Sequence, residues 1–245
     1  MSGKRILVIR CDDLFSSILR DAGHQVIELD LIQTSVLDDL SELSAKLTSE
    51  KYDGLFFTSP AAAEAFRSIR GELNGFHGKA YVLGKRSREV LDSSGLELRF
   101  IEQASTAVEM IDGFGTDEFA GKRFLFVRGE RSLKTIPEML SGIATVDEVV
   151  VYSTKAADVD EFSISKVEKM LSRGEISWTC LFSPSGVDEF VKIFGVASRN
   201  PNAAAIGTTT ADAARKAGLL VGFVSPVADA ETFAKTLAEH ISKGE

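Results

Sequence analysis

The sequence predicts an α/β protein with two lobes, each a parallel sheet flanked by helices, and three observations carry that reading. Short apolar runs alternate with segments of helical periodicity along the chain, the pattern left by βα units. The chain also contains a long internal repeat. Lys4-Arg5-Ile6-Leu7-Val8-Ile9-Arg10 matches Lys122-Arg123-Phe124-Leu125-Phe126-Val127-Arg128, and Leu55–Pro60 matches Thr179–Pro184. Ala80–Gly84 matches Ala203–Gly207, Glu28–Thr34 matches Glu148–Thr154, and every pair lies about 120 residues apart. Finally, 245 residues accommodate two units of domain size.

In chain order, residues 4–10 form a continuous apolar run, as expected of a strand buried on both faces. Leu14, Ile18, Leu19 and Ala22 follow at helical spacing, with Gly23 as a stop. A strand is expected near 26–32, then a helix carrying a narrow stripe of Leu37, Leu40, Leu43 and Leu47. The pattern continues as strand 54–58, helix 60–70, strand 79–83, helix 85–93, strand 97–101 and helix 106–112. The second copy opens with strand 122–128 and a helix containing Leu133, Ile136 and Leu140, where Pro137 fits only in a first turn or a kink. Strand 147–153 is β-branched and aromatic; the helix near 160–172 holds Phe162, Val167, Met170 and Leu171. Strand 178–182, helix 185–194, strand 203–206, helix 209–217, strand 220–224 and helix 229–242 complete the chain.

The formal net charge of −8 argues against non-specific nucleic-acid binding, so any anionic ligand must be held by local features. Cys11 and Cys180 both fall in or beside expected buried strands, which points to a reducing cytoplasm rather than a disulfide framework. No apolar run is long enough for a membrane span, and Lys4-Arg5 leads straight into a strand with no signal-peptide pattern. His24, His77 and His240 are scattered, and no metal-ligand spacing is present. Gly113-Phe114-Gly115 lacks the third glycine of a dinucleotide fingerprint. Trp178 is expected to pack at a strand start.

Phe57-Thr58-Ser59-Pro60-Ala61-Ala62-Ala63-Glu64, Val150-Val151-Tyr152-Ser153-Thr154, Phe182-Ser183-Pro184-Ser185-Gly186 and Ala205-Ile206-Gly207-Thr208-Thr209-Thr210-Ala211 together resemble the uroporphyrinogen-III synthase family. The likeness runs from the first strand to the last helix, and the joint order of the blocks is its most specific feature. One departure is Thr208, which stands where many relatives have proline. The resemblance implies two flavodoxin-like lobes joined by two antiparallel crossing strands, near residues 29–35 and 148–155. Lobe 1 would then comprise 1–35 and 148–245, and lobe 2 would be 36–147. It further implies a small linear tetrapyrrole substrate, hydroxymethylbilane, which is closed to uroporphyrinogen III with inversion of ring D and loss of water; separately, the chain is expected to be a monomer. No cofactor, metal, nucleic-acid or membrane partner is implied.

A substrate of that class carries eight carboxylates, and helix N-termini at the carboxyl ends of parallel strands suit them. The expected binding set is Thr58 and Ser59, Gly84, Lys85 and Ser87, Ser183 and Ser185, Gly207, Thr208 and Thr209, with Arg10 and Arg128 ending matched strands. Each turn is equally good as simple helix capping, and each arginine as a strand-end charge. Arg131, Lys134, Lys85 and Arg88 are expected in solvent, the alternative being that one or two of them reach a propionate. Tyr152 is the candidate proton donor for departing hydroxide, because a phenol donates while uncharged; otherwise its ring packs in a hinge. Two other functions fit the same pattern, a two-lobed small-molecule sensor and a family member that has lost activity.

Overall fold

The computed structural model describes residues 3–10, 13–72 and 78–244; Cys11 and His77 lie outside the described residues. β1 (Arg5–Val8), α1 (Asp13–Asp21) and β2 (Gln25–Glu28) open the chain. β3 (Ile32–Val36), α2 (Ser41–Ser49), β4 (Gly54–Phe57), α3 (Pro60–Ile69), β5 (Lys79–Val82), α4 (Lys85–Leu91), β6 (Glu97–Phe100) and α5 (Ala107–Phe114) follow. Next come β7 (Arg123–Gly129), α6 (Thr135–Met139), β8 (Thr145–Ala156) and α7 (Glu161–Ser172). β9 (Trp178–Leu181), α8 (Pro184–Phe194), β10 (Asn202–Ala205), α9 (Thr208–Lys216), β11 (Val221–Val224) and α10 (Ala230–Lys243) complete it.

Two compact units result, Met1–Gln33 with Lys155–Glu245, and Thr34–Thr154. The first holds a parallel sheet in the order β11-β10-β9-β1-β2. The second sheet runs β3-β8-β7-β4-β5-β6, parallel from β8 to β6. Its arrangement explains the sequence repeat. β7, β8, β4, β5 and β6 occupy the places that β1, β2, β9, β10 and β11 hold in the first sheet, so matched sequence blocks take matched positions. The extra strand β3 runs antiparallel to β8: Leu37 donates to the Val151 carbonyl, while Leu31 accepts from Ala157, so the partner number falls as the chain rises.

Alternation along the strands sends side chains to two cores per sheet. Leu55 and Phe57 of β4 join a core under α2, α3 and α4, whereas Phe56 joins the aromatic core under α5 and α6. Likewise Leu7 of β1 packs toward α7, α8 and α9, and Ile6 and Val8 pack toward α1 and α10. In the aromatic core, buried Tyr81 donates to Glu118 Oε1 at 2.6 Å, and Lys79 reaches the same oxygen at 2.9 Å. These two donors, the tyrosine hydroxyl first, hold the Glu118 carboxyl at about 2. Trp178 packs at the start of β9, edge-on to His240.

Several expectations are corrected. The single strand near 26–32 is two strands: Leu29 still donates to Val8, but Leu31 accepts from Ala157, so the backbone changes partner between them. Leu37 extends this pairing and is not part of the helix, whose inward residues are Leu43 and Leu47. Leu14 is exposed on α1, where Phe15 and Leu19 take the buried face. Leu133 precedes α6 and is 60% exposed, and Phe162 stands 77% exposed on the first turn of α7. Pro137 sits in the first turn of α6, where its missing N–H breaks no helical bond. No helix among the described residues is long and apolar enough to cross a membrane.

Candidate active site

A parallel sheet delivers the carboxyl ends of its strands, and the starts of the helices that follow, to one edge. In the first unit that edge carries Arg10 after β1, Ser183 after β9 and Gly207 after β10. Ser183 has extended backbone, and its Oγ accepts from Gly186 N at 3.1 Å, with Pro184 at the first helical position. This satisfies one of the four N–H groups that a helix start leaves unpaired. Ser185 Oγ lies 3.1 Å from Ser183 Oγ, so two hydroxyls stand together at the start of α8. The Arg10 guanidinium carbon is 5.4 Å from the centre of the Phe182 ring, a cation–π distance that places the cation beside the same turn.

α9 begins at Thr208, the residue that departs from the family's proline, with Gly207 extended before it and no side-chain cap. Thr208 and Thr209 are exposed, while Thr210 is buried. With glycine at the cap position, the first-turn N–H groups of α9 receive no side-chain hydrogen bond from it.

The second unit repeats the device. Ser59 caps α3 by accepting from Ala62 N at 3.2 Å, with Pro60 at the first helical position and Thr58 half-buried beside it. Gly84 begins α4 at φ +83°, a left-handed conformation that favours glycine. Lys85 is exposed, but Ser87 is buried, which removes its hydroxyl from the surface expected to meet a ligand. Arg88 lies over the Phe100 ring at 5.2 Å.

Tyr152 is half-buried in β8. Arg128 pairs with Val150 and Gly129 with Tyr152, so Val151 is an extra residue on β8, a β-bulge. The bulge turns consecutive residues Val151 and Tyr152 toward the same core. A β carbon on Gly129 would overlap the tyrosine ring, so the absence of a side chain there makes the seat for it. The phenol oxygen lies 3.5 Å from Ser132 Oγ.

Arg128, expected as a strand-end cation, is only 8% exposed. Its guanidinium pairs with Glu148 and donates to the carbonyls of Gly129 at 3.2 Å and Ser132 at 2.7 Å. These partners occupy all three of its nitrogens and tie it to the turn after β7. Gly129, Ser132 and Glu148 were not among the sequence candidates. Gly129 and Ser132 show in the sequence only as small residues close to Arg128, Glu148 lies on the next strand, and the pairing of Gly129 with Tyr152 depends on a bulge that leaves no compositional mark.

Cys180 is wholly buried in β9, and burial pushes its thiol far up, which suits a packed side chain rather than a nucleophile. Among the described residues no three His, Cys, Asp or Glu side chains gather as metal ligands. Each unit by itself presents helix-start donors of the kind that suit carboxylates, and the second also carries the Tyr152 phenol.

The family model described as uroporphyrinogen-III synthase HemD matches residues 13–235. The uroporphyrinogen-III synthase of Chlorobaculum parvum is 31% identical over 198 residues, covering 77% of this chain and 80% of that one. The crystal structure of a mutant uroporphyrinogen III synthase from Thermus thermophilus superposes with a TM-score of 0.69 at 14% identity, covering 98% and 100% of the two chains. The corresponding Helicobacter pylori structure gives 0.60 at 17% identity, covering 97% and 99%.

Proposed function

The chain belongs to the uroporphyrinogen-III synthase family, and we infer from this that it closes hydroxymethylbilane to uroporphyrinogen III, inverting ring D and losing water. The observation that carries the reading is the match of a single family model to nearly the whole chain. The strand order of each unit supports describing both as flavodoxin-like lobes. We assign the reaction to the cytoplasm, consistent with a buried free thiol at Cys180.

Substrate carboxylates go to the N–H groups and hydroxyls at the starts of α3, α8 and α9, through Thr58, Ser59, Ser183, Ser185, Gly207, Thr208 and Thr209, with Gly84, Lys85 and Arg10 beside them. Anions are favoured at such ends by the unpaired donors and the positive end of the helix dipole. Arg128 and Ser87 leave the binding set, the first committed to its turn and the second buried. Tyr152 donates its proton to the hydroxyl leaving the terminal methylene carbon, giving water and a phenolate. The proton released when the last pyrrole carbon is substituted restores the phenol. Holding the flexible chain so that the required ends meet supplies the remainder of the effect.

Incubation with hydroxymethylbilane tests the activity. Its disappearance should rise in proportion to protein concentration. Disappearance at the protein-free rate would overturn the reading.

A further inference from the structure

The turn after β7 is built around Ser132. Gly129 N donates to Ser132 Oγ at 2.9 Å, and Ser132 N donates to the Gly129 carbonyl at 3.1 Å. From inside, Arg128 donates to the carbonyls at both ends of that turn and is itself held by Glu148. Glu130 N donates to the Tyr152 carbonyl at 3.0 Å, so the same turn is bound to the backbone of the tyrosine. With the Gly129 N–H on one lone pair of Ser132 Oγ, the serine hydrogen is free to point elsewhere. The Tyr152 hydroxyl lies 3.5 Å away.

We propose that Ser132 is a positioning residue for the reaction, donating a hydrogen bond to the Tyr152 oxygen as the phenol gives up its proton. This rests on the acid role assigned to Tyr152. In the resting phenol the contact is long. Once the tyrosine proton has passed to the departing hydroxide, the phenolate oxygen attracts the serine O–H, and the bond shortens because its acceptor is charged. Ser132 keeps its own proton throughout, and reprotonation of the phenolate ends the cycle. Such a bond favours the charged state over the resting one and acts on the chemical step rather than on substrate binding.

The experiment measures kcat and KM for Ser132→Ala, Ser132→Thr and Ser132→Cys, each alone and combined with Tyr152→Phe. Ser132→Ala should lower kcat about tenfold, the size expected for one hydrogen bond to a charged group, with KM unchanged. Ser132→Thr, which keeps the hydroxyl, should recover most of the rate. In the Tyr152→Phe background the Ser132→Ala change should have no further effect on kcat. Full kcat in Ser132→Ala beside a slow Tyr152→Phe would overturn the role of Ser132 and leave that of Tyr152 standing. Full kcat in Tyr152→Phe would remove both. Equal loss from Ser132→Ala in the two backgrounds would make Ser132 a support of the turn only, and the proposal fails. If Ser132→Ala does not fold, Ser132→Cys is read the same way, because it keeps the shape and loses most of the donor strength.

Discussion

The ring of Tyr152 occupies the space that a side chain on Gly129 would need. Glycine is required here by close approach, since Gly129 is not among the residues with positive φ. Gly129→Ala must therefore displace the ring or the β7 backbone. Overpacking of this kind costs about 1–3 kcal/mol. The variant should lose that much in denaturant unfolding and lose turnover with it, and an unchanged midpoint with full activity would show that the seat is loose.

Tyr152→Phe retains the ring and its contacts while removing the hydroxyl. A positioned general acid contributes about 10²–10⁴-fold, and water replaces it in part at an accessible site, so kcat should fall toward the lower end of that range with KM little changed. Equal unfolding midpoints for the two proteins would separate chemistry from packing. A fall in kcat matched by a rise in unfolded protein would return Tyr152 to a packing role.

The Glu118 carboxylate supplies a pH-dependent part of the stability. Its folded value of about 2 lies below that of an unfolded glutamate, so its contribution is complete above about pH 4.5 and is lost as pH falls through 2. Glu118→Gln should lower stability at pH 7 by about 1–2 kcal/mol, since the amide still accepts from Tyr81 but not as a charge. The gap from the parent should close between pH 4.5 and 2. A constant gap over that range would mean that the charge contributes nothing.

We propose that the two units are independently folding domains. A fragment of residues 34–154 keeps all of β7, β4, β5 and β6, most of β8, the end of β3 and both cores of that sheet, so it should unfold cooperatively by circular dichroism. A fragment of residues 1–113 holds β1 and β2 without β9, and β4 without β7, so it should not. The reverse outcome would contradict the division.

Most elements were legible because parallel strands buried on both faces are continuous apolar runs, and because Ser59-Pro60 and Ser183-Pro184 mark helix starts by their own chemistry. The repeat was legible for the same reason, and matched strands lie in matched places. Exposure was not. Leu14, Leu133 and Phe162 fit apolar patterns yet face outward, because which apolar residue is covered depends on the neighbour across from it. Arg128 shows the same limit at the site. Its position at a strand end was readable, whereas its burial depends on partners brought to it from the neighbouring strand, Glu148, and from the turn that follows, the carbonyls of Gly129 and Ser132.

This chain should direct ring closure to the inverted isomer. The measurement is the isomer composition of the porphyrins formed from fresh hydroxymethylbilane, separated after oxidation, with and without the protein. The bilane closes without assistance to the uninverted type I product, so the protein should convert that mixture to one dominated by type III, and Tyr152→Phe should shift it back toward type I as the unassisted reaction competes. A product with the same type I composition in the presence and absence of the protein would contradict the account.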